Sequence, residues 1–114
     1  MKKYLFVGER RSELAKKMNV TWVDKRLAAA HLSKATEYIG ISWDECAFLN
    51  VFEDDISQIK SFKGVVIAMG RKVEKELKKH QIGHEFIYHP ATRGAVRNIQ
   101  KYKDHVKERI GYIV

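Results

Sequence analysis

Three polar side chains stand where apolar runs stop: Glu9 after "YLFVG", Asn50 inside "CAFLNVF", and His89 after "FIY", with the sole proline, Pro90, behind it. A carboxylate, a carboxamide and an imidazole supply a charge, a paired donor and acceptor, and a titratable donor, which together can orient a small polar group. Each also has a plain reading. Glu9 follows a glycine that lets the chain turn tightly, so a solvated carboxylate at a turn accounts for it. A carboxamide buried in a strand costs free energy unless donor and acceptor are both paired. For Asn50 that pairing comes either from a neighbouring loop or from the edge of a base, whose adjacent carbonyl and N–H groups complement an amide. Pro90 either ends a strand and fixes the turn into a helix, or holds His89 at a strand end, where open α/β sheets meet ligands. Arginines gather at the same places, Arg10 and Arg11 directly after Glu9, Arg93 and Arg97 just beyond Pro90.

The elements that must position these groups are legible as hydrophobic patterns. Tyr4 to Val7, Cys46 to Phe52, Gly64 to Met69 and Glu85 to Tyr88 are nearly continuously apolar, as parallel strands covered on both faces are. Leu27, Ala28, His31, Leu32, Ala35 and Ile39 recur at helical spacing, with Gly40 as a stop. Val73 and Leu77 mark a shorter helix after Gly70, ending near Gly83. Val96, Ile99, Tyr102, Val106 and Ile110 pattern a last helix, whose opposite face carries Arg93, Arg97 and Lys101. The order is strand, long loop and helix, strand, short helical link, strand, helix, strand, helix. It predicts an α/β fold, a three-layer α/β/α sandwich on a four-stranded parallel sheet in the order 2-1-3-4. In such a sheet the carboxyl ends of the strands carry any site, and here they are Gly8 to Arg11, Asn50 to Glu53, Gly70 to Lys72 and His89-Pro90.

Bulk properties narrow the classes. The 114 residues suit a single domain over 1–114, and 45% hydrophobic with 32% charged residues is ordinary for a globular chain. No apolar run approaches the ~18 residues of a membrane helix, so a cytoplasmic protein that does not associate with membranes is expected. The single cysteine, Cys46, cannot form an internal disulfide or hold a metal by itself, so neither a metal nor another cofactor is expected. There is no G-x-G-x-x-G and no phosphate-binding loop motif. His31, His80, His84 and His105 read as structural or solvated, and the run Glu53-Asp54-Asp55 as the charge pattern of a helix N-terminus. Lys plus Arg is 22 against 14 for Asp plus Glu, a net +8 that favours a polyanion as partner.

In order, "FVGE", "FLNVF", "VVIAMGRKV" and "YHPATR" resemble the motifs of the uracil-DNA glycosylase superfamily: a Gly-acid pair after the first strand, an Asn at the end of the second, a Gly-led helix after the third and a His-Pro motif after the last. The resemblance covers nearly the whole chain. It implies that Glu9 orients water or stabilises an oxocarbenium-like sugar, that His89 hydrogen-bonds the departing base, and that Asn50 reads the base edge. It implies a stacking aromatic, Trp22 or alternatively Phe52, and phosphate contacts from Arg10, Arg11, Arg93 and Arg97. The chain departs from the pattern in two places. Arg10 and Arg11 stand where members carry a proline, and Ala91-Thr92-Arg93 lacks the apolar wedge many members insert into a duplex. Those departures direct the expectation to a single-stranded, exposed or free nucleotide. Beside a hydrolase of this kind stand two alternatives, a non-catalytic nucleotide or nucleic-acid binder on the same fold and a basic protein-interaction domain.

Overall fold

The computed structural model describes residues 2–10, 13–19, 21–24, 28–90 and 98–114. The chain forms two compact units, one from residues up to 10 together with 44–89, the other from the segment between them together with residues from 90 onward. The first unit holds the sheet: β1 (Tyr4–Gly8), β2 (Cys46–Asn50), β3 (Val65–Met69) and β4 (Glu85–Ile87), with α3 (Ile56–Lys60) and α4 (Arg71–Lys79) in the connections. The second holds α1 (Glu13–Met18), α2 (Ala28–Tyr38) and α5 (Ile99–Ile110).

All strand pairs are parallel and the order is β2-β1-β3-β4, the predicted topology. Tyr4 lies opposite Cys46 on one side and Val65 on the other, while Gly8 lies opposite Asn50. Alternation then sorts the side chains. Leu5, Val7, Val66 and Ala68 face α3 and α4 and share a buried cluster with Ile59, Val73 and Leu77. Phe6, Ile67 and Met69, on the opposite face, are just as completely buried, and Phe6 stacks on Phe48 with ring centroids 6.0 Å apart. Burial of both faces explains why the strands read as unbroken apolar runs. Each large side chain so buried contributes about 1.5–3 kcal/mol, which makes β1, apolar throughout and central, the strongest element of the sheet. Cys46 is buried on edge strand β2, where burial foremost, then the Glu45 charge, pushes its thiol up to about 12 against a small opposing effect of Lys2.

In the second unit α2 and α5 pack together, with Leu32 and Ala35 from one and Tyr102, Val106 and Ile110 from the other fully buried. Asn98 caps α5 by accepting from the N–H groups of Gln100 and Lys101. Gly40 stops the chain after α2 at φ 88°, a left-handed conformation that glycine adopts without strain. His31 lies on α2 with a buried Nδ1 that has no hydrogen-bond partner among the described residues.

Strands β1, β3 and β4 each differ from the expected bounds by one residue, β4 ending at Ile87, and three departures are larger. The long loop after β1 contains a helix, α1, whose Leu14 is 53% exposed, so its sequence carries no strong apolar stripe. β2 stops at Asn50 instead of Phe52, because the N–H groups of Glu53 and Asp54 both turn back onto the Asn50 carbonyl. α4 ends at Lys79, capped by His80, and the chain reverses at Gln81, φ 59°, without using Gly83. Among the described residues no helix is long and apolar enough to cross a membrane.

Candidate functional site at the strand ends

The carboxyl ends of all four strands belong to the first unit, and the reversal of strand order falls between β1 and its two neighbours. A crevice at such a reversal is where open parallel sheets bind ligands, because the loops on either side of it diverge. Glu9 is the first residue beyond β1. Its carbonyl accepts from Phe52 N–H at 3.0 Å and that of Gly8 from Val51 N–H at 2.8 Å, so the ladder between β1 and β2 continues past the strands and fixes the Glu9 backbone. The side chain is half-buried.

Asn50 ends β2 and is buried. As β2 is an edge strand, its outward N–H groups need partners other than a strand. Asn50 N–H donates to Asp54 Oδ2 at 2.7 Å, and its side-chain Nδ2 donates to Glu53 Oε1 at 3.1 Å. The acidic run therefore organises Asn50 twice, once through the backbone and once through the amide. Its third member, Asp55, caps α3 by accepting from Ser57 N–H at 2.9 Å, and that bond foremost holds its carboxyl below the usual range. The helix-terminus expectation for this run thus holds at Asp55.

At the other side of the sheet, Gly70 N–H donates to the Ile87 carbonyl at 2.9 Å and starts α4 at φ 102°. A Cβ built on Gly70 would lie 3.8 Å from His89 Cβ, so the Gly-led helix start and the histidine lie side by side. Any other residue there would be strained by its φ alone. Burial pushes the His89 imidazole below its ordinary range, while the Glu9 charge pulls it back up. Two consequences follow. The net direction is downward, which favours the neutral imidazole at neutral pH, and His89 lies within the electrostatic reach of Glu9.

Of the predicted site residues, the first unit thus contains Glu9, Arg10, Asn50, Phe52 and His89. Phe52 is 45% exposed and carries the Arg10 guanidinium over its ring at 5.4 Å from the centroid. Trp22 belongs to the second unit, half-buried in a short 3₁₀ turn, Trp22–Asp24, where Asp24 accepts from Thr21 N–H. Arg11, Arg93 and Arg97 lie outside the described residues.

Sequence reasoning passed over a cluster beside His89. The Arg71 guanidinium sits over the Phe86 ring at 4.1 Å and 5.9 Å from the Tyr88 centroid, and it pairs with Glu74 at 3.1 Å. Glu74 also receives the His84 ring, 3.2 Å away, whose other nitrogen bonds the Ile82 carbonyl. Burial pushes the Glu74 carboxyl up, but His84 and Arg71 more than offset it and hold it below the usual range. The structural reading of His84 agrees with this anchoring role. The available signal was alternation: Phe86 and Tyr88 are two apart on β4 and its extension, so both point to the face where α4 begins. Among the described residues no group of His, Cys, Asp and Glu is arranged to hold a metal ion. Comparison with family models, with curated proteins and with solved structures gives no match to this chain.

Proposed function

We propose that the strand ends of the first unit bind a nucleobase, and that the protein is a compact hydrolase resembling uracil-DNA glycosylases that acts on an exposed base in a single strand. The observation that carries this reading is geometric: Glu9, Asn50 and His89 stand at the carboxyl ends of strands of one parallel sheet, with the Gly70 helix start beside His89. Hydrolysis of an N-glycosidic bond breaks C1′–N while a water oxygen bonds C1′. Positive charge grows on the sugar and negative charge on the departing base. The Glu9 carboxylate serves the first charge by orienting the water and facing the cation. The His89 N–H serves the second by donating to the base carbonyl, and a neutral donor does so without neutralising Glu9. Asn50, its amide held by Glu53, supplies an edge reader, and Phe52, exposed two residues on, supplies a stacking face.

The test is release of free base from a uracil-containing single strand, read as abasic sites. His89→Ala is expected to slow release about 100- to 1000-fold, the usual cost of one donor to a developing anion. Glu9→Gln is expected to stop release, and in a proton NMR titration to move the His89 midpoint further down, because the charge that raises it is gone. Binding without release would leave the non-catalytic binder. A His89 midpoint indifferent to Glu9→Gln would separate the two residues and overturn their joint role.

A further inference from the structure

The nine residues of α4 carry five cations, and their spacing is not random. At about 100° per residue, Arg71, Lys72, Lys75, Lys78 and Lys79 occupy one arc of roughly 120°, directly opposite the buried Val73 and Leu77. Glu74 and Glu76 fall on the two flanks between. All five cations are exposed. Lys78 and Lys79 lie near Glu74 and Glu76, at 4.0 and 3.8 Å, whereas Lys72 and Lys75 have no ion-pair partner among the described residues.

This arrangement works against the helix that bears it. Lys75 has like charges three or four residues away in both directions, which is repulsive, and Arg71 and Lys72 stand at the end where the macrodipole disfavours cations. A local choice that opposes local stability marks a place selected for something else. A second feature stands at the same end of the helix. Tyr88, adjacent to His89, is 37% exposed, packs edge-on against Phe86 at 5.5 Å, and has the Arg71 guanidinium beside it. An aromatic face next to a row of cations is how proteins hold single-stranded nucleic acid, bases stacking on the ring while the backbone follows the charge.

We propose that Tyr88 and the lysine face of α4 form a track for single-stranded nucleic acid leading away from the strand-end site. Only the starting point of the track rests on the base-binding reading. At ~1.5 Å per residue α4 is about 13 Å long, enough to follow a short stretch of one strand's backbone. Tyr88 stacks the base next to the one held by Asn50 and His89, and Lys72, Lys75 and Lys79 meet successive phosphates. This provides backbone contacts that do not depend on Arg93 or Arg97.

The test is the affinity of a fluorescent oligothymidylate strand measured by anisotropy over a range of salt concentrations. Removing two phosphate contacts with K72Q/K75Q is expected to lower the slope of log affinity against log salt by about 1.4. Tyr88→Ala is expected to weaken binding roughly 5- to 150-fold while Tyr88→Phe keeps it, since only the ring is used. K103Q/K107Q, which removes the same charge from α5, should leave the slope unchanged. An unchanged slope in K72Q/K75Q, an equal drop in the α5 variant, or binding to anionic lipid vesicles but not to the strand would each overturn the track. Base release remains a separate readout. A strand that binds through Lys72 and Lys75 but loses no base sinks the hydrolase and keeps the track, and release that is indifferent to those lysines does the reverse.

Discussion

Two charged runs flank the sheet of the first unit, and they are used in opposite ways. In Glu53-Asp54-Asp55 each carboxylate is consumed locally: one holds the Asn50 amide, one accepts the Asn50 N–H and one caps α3. In α4 the cations turn outward, and Lys72 and Lys75 are matched to nothing among the described residues. As sequence the two runs look alike, a cluster of one sign beside an apolar segment. What separates them is bookkeeping of backbone donors. An edge strand that ends abruptly and a short helix that begins at once leave N–H groups to satisfy, and short carboxylate side chains satisfy them. The exposed face of α4 has no such debt, so its charge is available to a partner.

The contrast predicts that breaking the hydrogen bonds of the acidic run costs stability and that neutralising the basic run does not. The largest effect is expected from Asn50→Asp, which replaces a hydrogen bond to Glu53 by two facing carboxylates. A loss of about 2–4 kcal/mol in denaturant unfolding is expected. Glu53→Gln in the same chain should restore most of it, since an amide at position 53 donates to the carboxylate at position 50, the native bond reversed. Next comes Asp54→Ala, which strips the acceptor from a half-buried N–H at the end of β2. A charge-assisted bond of this kind is worth about 2 kcal/mol, or roughly 8 °C in the melting temperature. Smallest is K72Q/K75Q, expected to lie within about 0.5 kcal/mol of the parent and on the stabilising side, because it relieves like-charge repulsion. A destabilised lysine variant, or an indifferent Asp54→Ala, would erase the distinction between the runs.

What the sequence disclosed follows the same division. The strands were readable because both faces of the sheet are buried, and the order 2-1-3-4 followed from their alternation with helices. Glu9, Asn50 and His89 were readable as polar interruptions at strand ends, and those ends do lie along one edge. The α1 helix was not, since Leu14, its one large aliphatic residue besides Met18, is exposed. Nor was the end of α4, because Gln81 takes the left-handed turn that glycine usually supplies. The Arg71 cluster escaped for a different reason. It joins α4 to β4 across the fold, and although Phe86 and Tyr88 alternate, nothing in either segment names Arg71 as the cation that rests on them.

The buried position of Cys46 has a kinetic consequence. With its thiol pushed up to about 12, almost none of it is thiolate at neutral pH, and a thiol reagent meets it only when β2 leaves the sheet. Being the single cysteine, it makes the labelling rate of the native protein a clock for the opening of that edge strand. The strand that carries Asn50 thus has a built-in reporter, and the speed of that clock with a nucleobase bound would say whether the ligand holds the edge shut.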